Sequence, residues 1–130
     1  MILFKQISKI YYPDTKALDN VDLQIKPGEF VSLVGQSGTG KTTLVKMLIA
    51  EERPTKGRVV VGGWDITDIK SRHIPLLRRQ IGVVFQDYKL LPKKTVAENI
   101  AFALQVAGEQ NKKIDKVIGQ VLKIVGLEDK

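Results

Sequence analysis

Nine consecutive residues concentrate the chemistry of this chain. Gly35-Gln36-Ser37-Gly38-Thr39-Gly40-Lys41-Thr42 fits the pattern G-x-x-x-x-G-K-[ST], and Thr43 follows it. Each residue type has a physical reason. Glycines let the backbone bend tightly and approach a ligand with no Cβ in the way. Successive N–H groups then point into one concavity and form an anion nest. A helix opening near Gly40 adds the partial positive charge of its N-terminus. Lys41 brings a full charge to terminal phosphates, and hydrogen bonds to charged groups contribute roughly 1.5–3 kcal/mol each. Thr42 offers a hydroxyl oxygen to Mg²⁺, which takes oxygen ligands. The chemistry is that of a phosphate grip. A dinucleotide loop does not fit, because G-x-G-x-x-G started at Gly38 meets Thr43, and started at Gly35 meets Ser37.

Such a grip needs a strand before it and a helix after it. The run "FVSLV" at 30–34 is mostly apolar and predicts a strand buried on both faces. Behind the loop, Leu44, Val45, Leu48 and Ile49 recur at helical spacing. That helix is expected to stop before Pro54, since the residue before a proline disfavours helical backbone. Upstream, "ILFKQIS" mixes apolar and polar residues and predicts an edge strand. "YYPDTKALDN" reads as a turn around Pro13-Asp14. "VDLQI" alternates, with Val21, Leu23 and Ile25 on one face of a second strand. Pro27-Gly28 marks another turn.

Downstream, "GRVVVGG" predicts a short strand closed by glycines, a helix begins at Ser71, and "IGVVF" at 81–85 predicts a buried strand. "TVAE" at 95–98 carries the reciprocal capping pattern that opens a helix. In the last helix, Ile114, Val117, Ile118, Val121, Leu122 and Val125 form one apolar face, and Gly126 sits where a cap belongs. Strands interleaved with helices predict an α/β fold.

Composition narrows the function classes. The 130 residues suit one domain or most of one. There are 21 Lys and Arg against 14 Asp and Glu, a net charge of +7, so the expected partner is anionic. The basic residues are scattered and accompany no recognition motif or aromatic ladder, which makes a nucleic-acid-binding module the weaker reading. There is no cysteine, which excludes a disulfide scaffold and a Cys-ligated zinc site. No apolar run approaches the roughly 20 residues that span a bilayer.

With the loop placed, other segments fall into line, and the chain resembles the ATP-binding domain of ABC-type ATPases. The resemblance rests on "ISKIYY", "ALDNVDLQIKPGEFVSLVG", "LRRQIGVVFQ" and "TVAENI". It implies a P-loop NTPase core of ABC ATPase type, an N-terminal antiparallel β-subdomain and the start of the helical subdomain. It implies ATP and Mg²⁺ as cofactors, with Gly35, Gln36, Ser37, Gly38, Thr39, Gly40, Lys41, Thr42 and Thr43 holding the phosphates. It implies that Gln86 ligates Mg²⁺ or its attacking water; by residue type alone Gln86 is equally a polar end to the strand "IGVVF". Tyr11 aligns with the aromatic that stacks on adenine, although a shift of one residue would give that place to Tyr12. Lys41 and Gln86 are the residues assigned to catalysis, Thr42 and Gln86 those assigned to metal.

The same resemblance implies an integral membrane partner subunit, met by "DYKLLPKKTVAEN", and a homodimer of the full-length protein. It places the protein in the cytoplasm, peripheral on the inner face of the plasma membrane. Three other residues are set aside. Asp87 ends an apolar strand as a metal-binding aspartate does, but Gln86 intervenes and no glutamate follows. His73, the sole histidine, and Trp64 are expected to pack or face solvent. The family also needs an L-S-G-G-Q-type signature, an apolar strand ending in Asp-Glu and a switch histidine, and the sequence contains none of these. The chain is therefore expected to be the N-terminal portion of one such domain. It would hold MgATP and hydrolyse it little or not at all.

Overall fold

The computed structural model describes residues 1–129. Two compact units divide at Ile81 and Gly82. The first contains β1 (Ile2–Tyr11), β2 (Thr15–Ile25), α1 (Lys41–Leu48), β3 (Lys56–Val61), β4 (Trp64–Asp65), a 3₁₀ turn (Ser71–His73) and α2 (Ile74–Arg79). The four strands form one antiparallel sheet in the order β2-β1-β3-β4. The expected antiparallel β-subdomain is present.

Two strand assignments change. β1 is an interior strand, not an edge, because it pairs with β2 on one side and β3 on the other. The turn is only Tyr12 to Asp14, and β2 already begins at Thr15, where Tyr11 is its register partner. A bulge explains why β1 did not read as an interior strand. Its fully buried residues, Phe4 and Ile7, are three apart, whereas strict alternation would set them two or four apart. The register slips between them, with Gln6 at φ +49°. The Gln6 N–H donates to the Asp22 carboxylate at 2.9 Å. Across the sheet Gly57, at φ +94°, makes room, since a Cβ there would lie 2.3 Å from the Gln6 carbonyl oxygen.

One core joins these elements: Phe4, Ile7 and Leu18 from the first two strands, Leu44 and Met47 from α1, Val59 from β3, then Ile66, Ile69 and Leu77. On α1 the inward stripe is Thr43, Leu44 and Met47, whereas Val45, expected on that face, is exposed. Trp64, in β4, stands opposite Val61 and is exposed. His73 lies in the 3₁₀ turn and accepts from Arg72 Nε at 3.2 Å.

The run 30–34, expected to be a strand buried on both faces, and the run 81–85, expected to be a buried strand, are not strands here. Phe30 is 94% exposed, Val34 89% and Val84 92%. An apolar run becomes a strand only where a neighbouring strand takes up its N–H and C=O groups. Among the described residues no strand pairs with either run.

The second unit contains α3 (Val96–Ala107) and α4 (Asn111–Ile124), packed on one another. Thr95 caps α3 with the expected reciprocal pair: its hydroxyl accepts from the Glu98 N–H, and the Glu98 carboxylate accepts from the Thr95 N–H at 2.8 Å. Gly108 ends α3 in the left-handed region. Gly126, at φ +69°, follows α4 as expected. Among the described residues no helix is long and apolar enough to cross a membrane.

Candidate functional site

The loop from Gly35 to Gly40 joins the extended run 30–34 to α1. Gly38 and Gly40 sit at φ +83° and +86°, backbone that L side chains rarely adopt. Gly40 is also buried, and a Cβ on it would lie 2.5 Å from the Ala17 carbonyl oxygen and 2.6 Å from Leu18 Cδ2. The second glycine of the motif is thus fixed by contact with β2 as well as by its turn. Sequence reading assigned it to tight bending and ligand approach, not to packing on a strand.

Lys41 opens α1 and folds back on the loop. Its Nζ donates to the Gly35 carbonyl at 2.8 Å, the Gln36 carbonyl at 2.5 Å and the Thr39 hydroxyl at 3.2 Å. Thr39 Oγ1 in turn donates to the Gln36 carbonyl at 2.9 Å. The ammonium therefore sits within the ring of the loop. Among the described residues, no backbone N–H from Gly35 to Gly40 donates a hydrogen bond within the chain. These donors and the start of α1 are available to an anion. No acidic residue lies in the first turn of α1 to repel one.

Thr42 is exposed, and among the described residues its hydroxyl has no partner. No group of three or more His, Cys, Asp or Glu among them is placed to hold a metal. Mg²⁺ keeps several waters and substrate phosphate oxygens around it, and the exposed Thr42 hydroxyl is one further oxygen that could reach it. Thr43 is buried, and its Oγ1 lies 3.4 Å from the Tyr11 hydroxyl.

That contact separates the two tyrosines. Tyr11 is half-buried and tied to α1, whereas Tyr12 is 97% exposed. The structure thus brings Tyr11 to the first turn of α1. Sequence reading missed Lys9, whose ammonium lies 4.9 Å from the Tyr11 ring centroid. Its signal was the spacing, since residues two apart on a strand share a face.

Gln86 belongs to the second unit and is exposed at the first position of a turn. Asp87 beside it pairs with Lys89 at 2.6 Å, and that hydrogen bond holds its carboxyl below the usual range. Further on, Asn99 fastens the loop to α3. Its Oδ1 accepts from the Leu91 N–H at 2.8 Å, and its Nδ2 donates to the carbonyls of Leu91, Lys94 and Thr95. Nothing in the spacing marked Asn99. Glu98, bonded by the Thr95 N–H and then by Lys94, is pulled down to about 2.

A family model described as ABC transporter matches residues 18–130. The chain belongs to the ABC transporter family. Among curated ABC proteins, it is 52% identical to the cell division ATP-binding protein FtsE of Bacillus subtilis, over all of this chain and 57% of that protein. It is 44% identical to FtsE of Escherichia coli K12, over 59% of that protein. It is equally 44% identical to the methionine import ATP-binding protein MetN of Geobacillus kaustophilus, over 99% of this chain and 40% of that protein. The chain thus spans about half the length of the curated relatives it matches. Among solved structures, an ATP-binding cassette dimer in a post-hydrolysis state, bound to ADP and Pi, superposes at a TM-score of 0.87 with 33% identity. That match covers 99% of this chain and 59% of the cassette. The ABC ATPase fold class expected from the sequence is the fold of these neighbours.

Proposed function

We propose that the chain is the N-terminal portion of a single ABC ATP-binding domain and holds MgATP through Gly35 to Thr43. One observation carries this reading: Lys41 turned into a ring of backbone whose N–H groups are unused. Lys41 would pair with the terminal phosphates, Thr42 would ligate Mg²⁺, and Tyr11 would meet the adenine. Gln86 would ligate Mg²⁺ or its attacking water. The full-length protein would be an ATP hydrolase and a homodimer. It would serve as the FtsE-type subunit of a cell-division complex, seated on the inner face of the plasma membrane against an FtsX-like integral membrane subunit. There it would couple ATP to septal cell-wall remodelling. Identity of 44–52% to FtsE proteins over the whole chain supports this assignment.

The match to MetN favours a second reading, with the same mechanism and a solute transporter as the partner. Co-purification of the full-length protein with its membrane subunit separates the two. The test of the core claim is titration of the purified chain with MgATP. Replacing Lys41 by Ala should weaken binding roughly ten- to hundredfold, as expected for losing hydrogen bonds to a charged group. Unchanged affinity would reject the phosphate grip. The chain alone should show no steady hydrolysis, because the signature and the Asp-Glu strand are not in its sequence.

A further inference from the structure

The Tyr11 ring is held at two places. Its hydroxyl meets Thr43 Oγ1 of α1 at 3.4 Å. Over its face stands the Lys9 ammonium, 4.9 Å from the centroid. Lys9 is itself anchored. It pairs with Glu52 Oε2 at 2.7 Å and donates to the Arg53 carbonyl at 2.8 Å. Its side chain is only 14% exposed and that of Glu52 25%, so this pair is the least exposed ion pair of the first unit. A flexible lysine stem pays little attention to a ring unless its charge is fixed elsewhere. Here the segment after α1 fixes it.

We infer that Lys9 and Glu52 are positioning residues for the base-binding face of the nucleotide site. Lys9, clamped by Glu52 and the Arg53 carbonyl, covers one face of Tyr11 and leaves the other for a purine. A cation over an aromatic face is attracted by the ring's quadrupole, so the ring keeps that orientation before any ligand arrives. Neither residue needs to touch the nucleotide. The inference rests on the reading that Tyr11 stacks on adenine, and its test keeps the two separable.

The probes are MgATP and magnesium tripolyphosphate, which shares the phosphates and lacks the base. Binding of each is measured by calorimetry on the 130-residue chain, and each variant's melting midpoint is recorded. Lys9→Met should weaken MgATP roughly two- to fivefold, the size of an exposed to part-buried cation–π contact, and leave tripolyphosphate unchanged. Lys9→Arg should retain MgATP affinity, because a guanidinium also stacks on a ring. Glu52→Gln, which keeps the shape and removes the charge, should show a smaller loss in the same direction. Equal loss for both probes would overturn the inference, since Lys9 would then act on the phosphates. Unchanged MgATP binding in Lys9→Met, with a loss in Tyr11→Ala, would overturn it while sparing the stacking. No base-specific loss in Tyr11→Ala would overturn both. If Lys9→Met fails to fold, the comparison of Lys9→Arg with Glu52→Gln decides: equal base-specific affinity in the two refutes a positioning role.

Discussion

The two left-handed glycines of the phosphate loop should behave differently when each gains a methyl group. Gly38 is at φ +83° and Gly40 at +86°, so alanine at either carries the strain of left-handed backbone, about 1–2 kcal/mol. A part of that is offset because alanine restricts the unfolded chain, by about 0.4–1 kcal/mol. At Gly38 a Cβ meets nothing within 4 Å, and the balance ends there. At Gly40 it meets the Ala17 carbonyl oxygen at 2.5 Å and Leu18 Cδ2 at 2.6 Å. Leucine can give way, but the carbonyl belongs to β2 and cannot move without disturbing the sheet. Overpacking of this kind costs about 1–3 kcal/mol. Gly40→Ala should therefore be less stable than Gly38→Ala by about 1–3 kcal/mol. For a small unit each kilocalorie lowers the midpoint by about 4–8 °C. Thermal melts followed by circular dichroism give the comparison directly. Equal midpoints would refute the claim that Gly40 is fixed by its contact with β2.

Three further outcomes are expected. Met47→Ala removes a side chain only 1% exposed and should cost about 2–5 kcal/mol in a denaturant titration. The Glu98 carboxyl is depressed to about 2 from 4.5, so its capping contribution is fully present above 4.5 and lost as pH falls towards about 2; the melting advantage of the wild type over Glu98→Gln should shrink across that window. Asn99→Ala should speed proteolytic cutting between residues 91 and 95, because it releases hydrogen bonds of about 0.5–1.5 kcal/mol each from that loop.

What the sequence made legible was local. The capping box at Thr95 and Glu98, the glycine after α4 and the helix behind the loop all depend on residues within a few positions of one another. What it hid was set by distant partners. β1 looked like an edge because apolar and polar residues mix along it, and what makes it interior is pairing with β3 and a bulge built with Asp22 and Gly57, far along the chain. The apolar runs at 30–34 and 81–85 carry strand composition, yet composition supplies only half of a strand. The other half is a neighbour to take the hydrogen bonds, and none of the described residues provides it. In the site, the glycines and Lys41 announced themselves by spacing. The buried side of Thr43 did not, because its partner Tyr11 is about thirty residues away, and the anchoring of Lys9 did not, because Glu52 is about forty residues away.

These distant contacts bear on how the grip is held. Gly40 rests on β2, and Thr43 meets the end of β1 through Tyr11. Leu44 and Met47 enter the core with Phe4, Ile7 and Leu18 of the same two strands. α1, whose N-terminus would face the phosphates under the proposed function, is thus braced on one hairpin at its first turn and along its buried stripe. Preorganisation of this kind lowers the ordering cost of binding. It would also couple the two ends of a nucleotide bound as proposed. A purine on Tyr11 and a phosphate on Lys41 would be spaced by the packing of β1 against α1, not by the loop itself. Loosening that packing should therefore weaken MgATP more than tripolyphosphate, because only the nucleotide has to satisfy both ends at once.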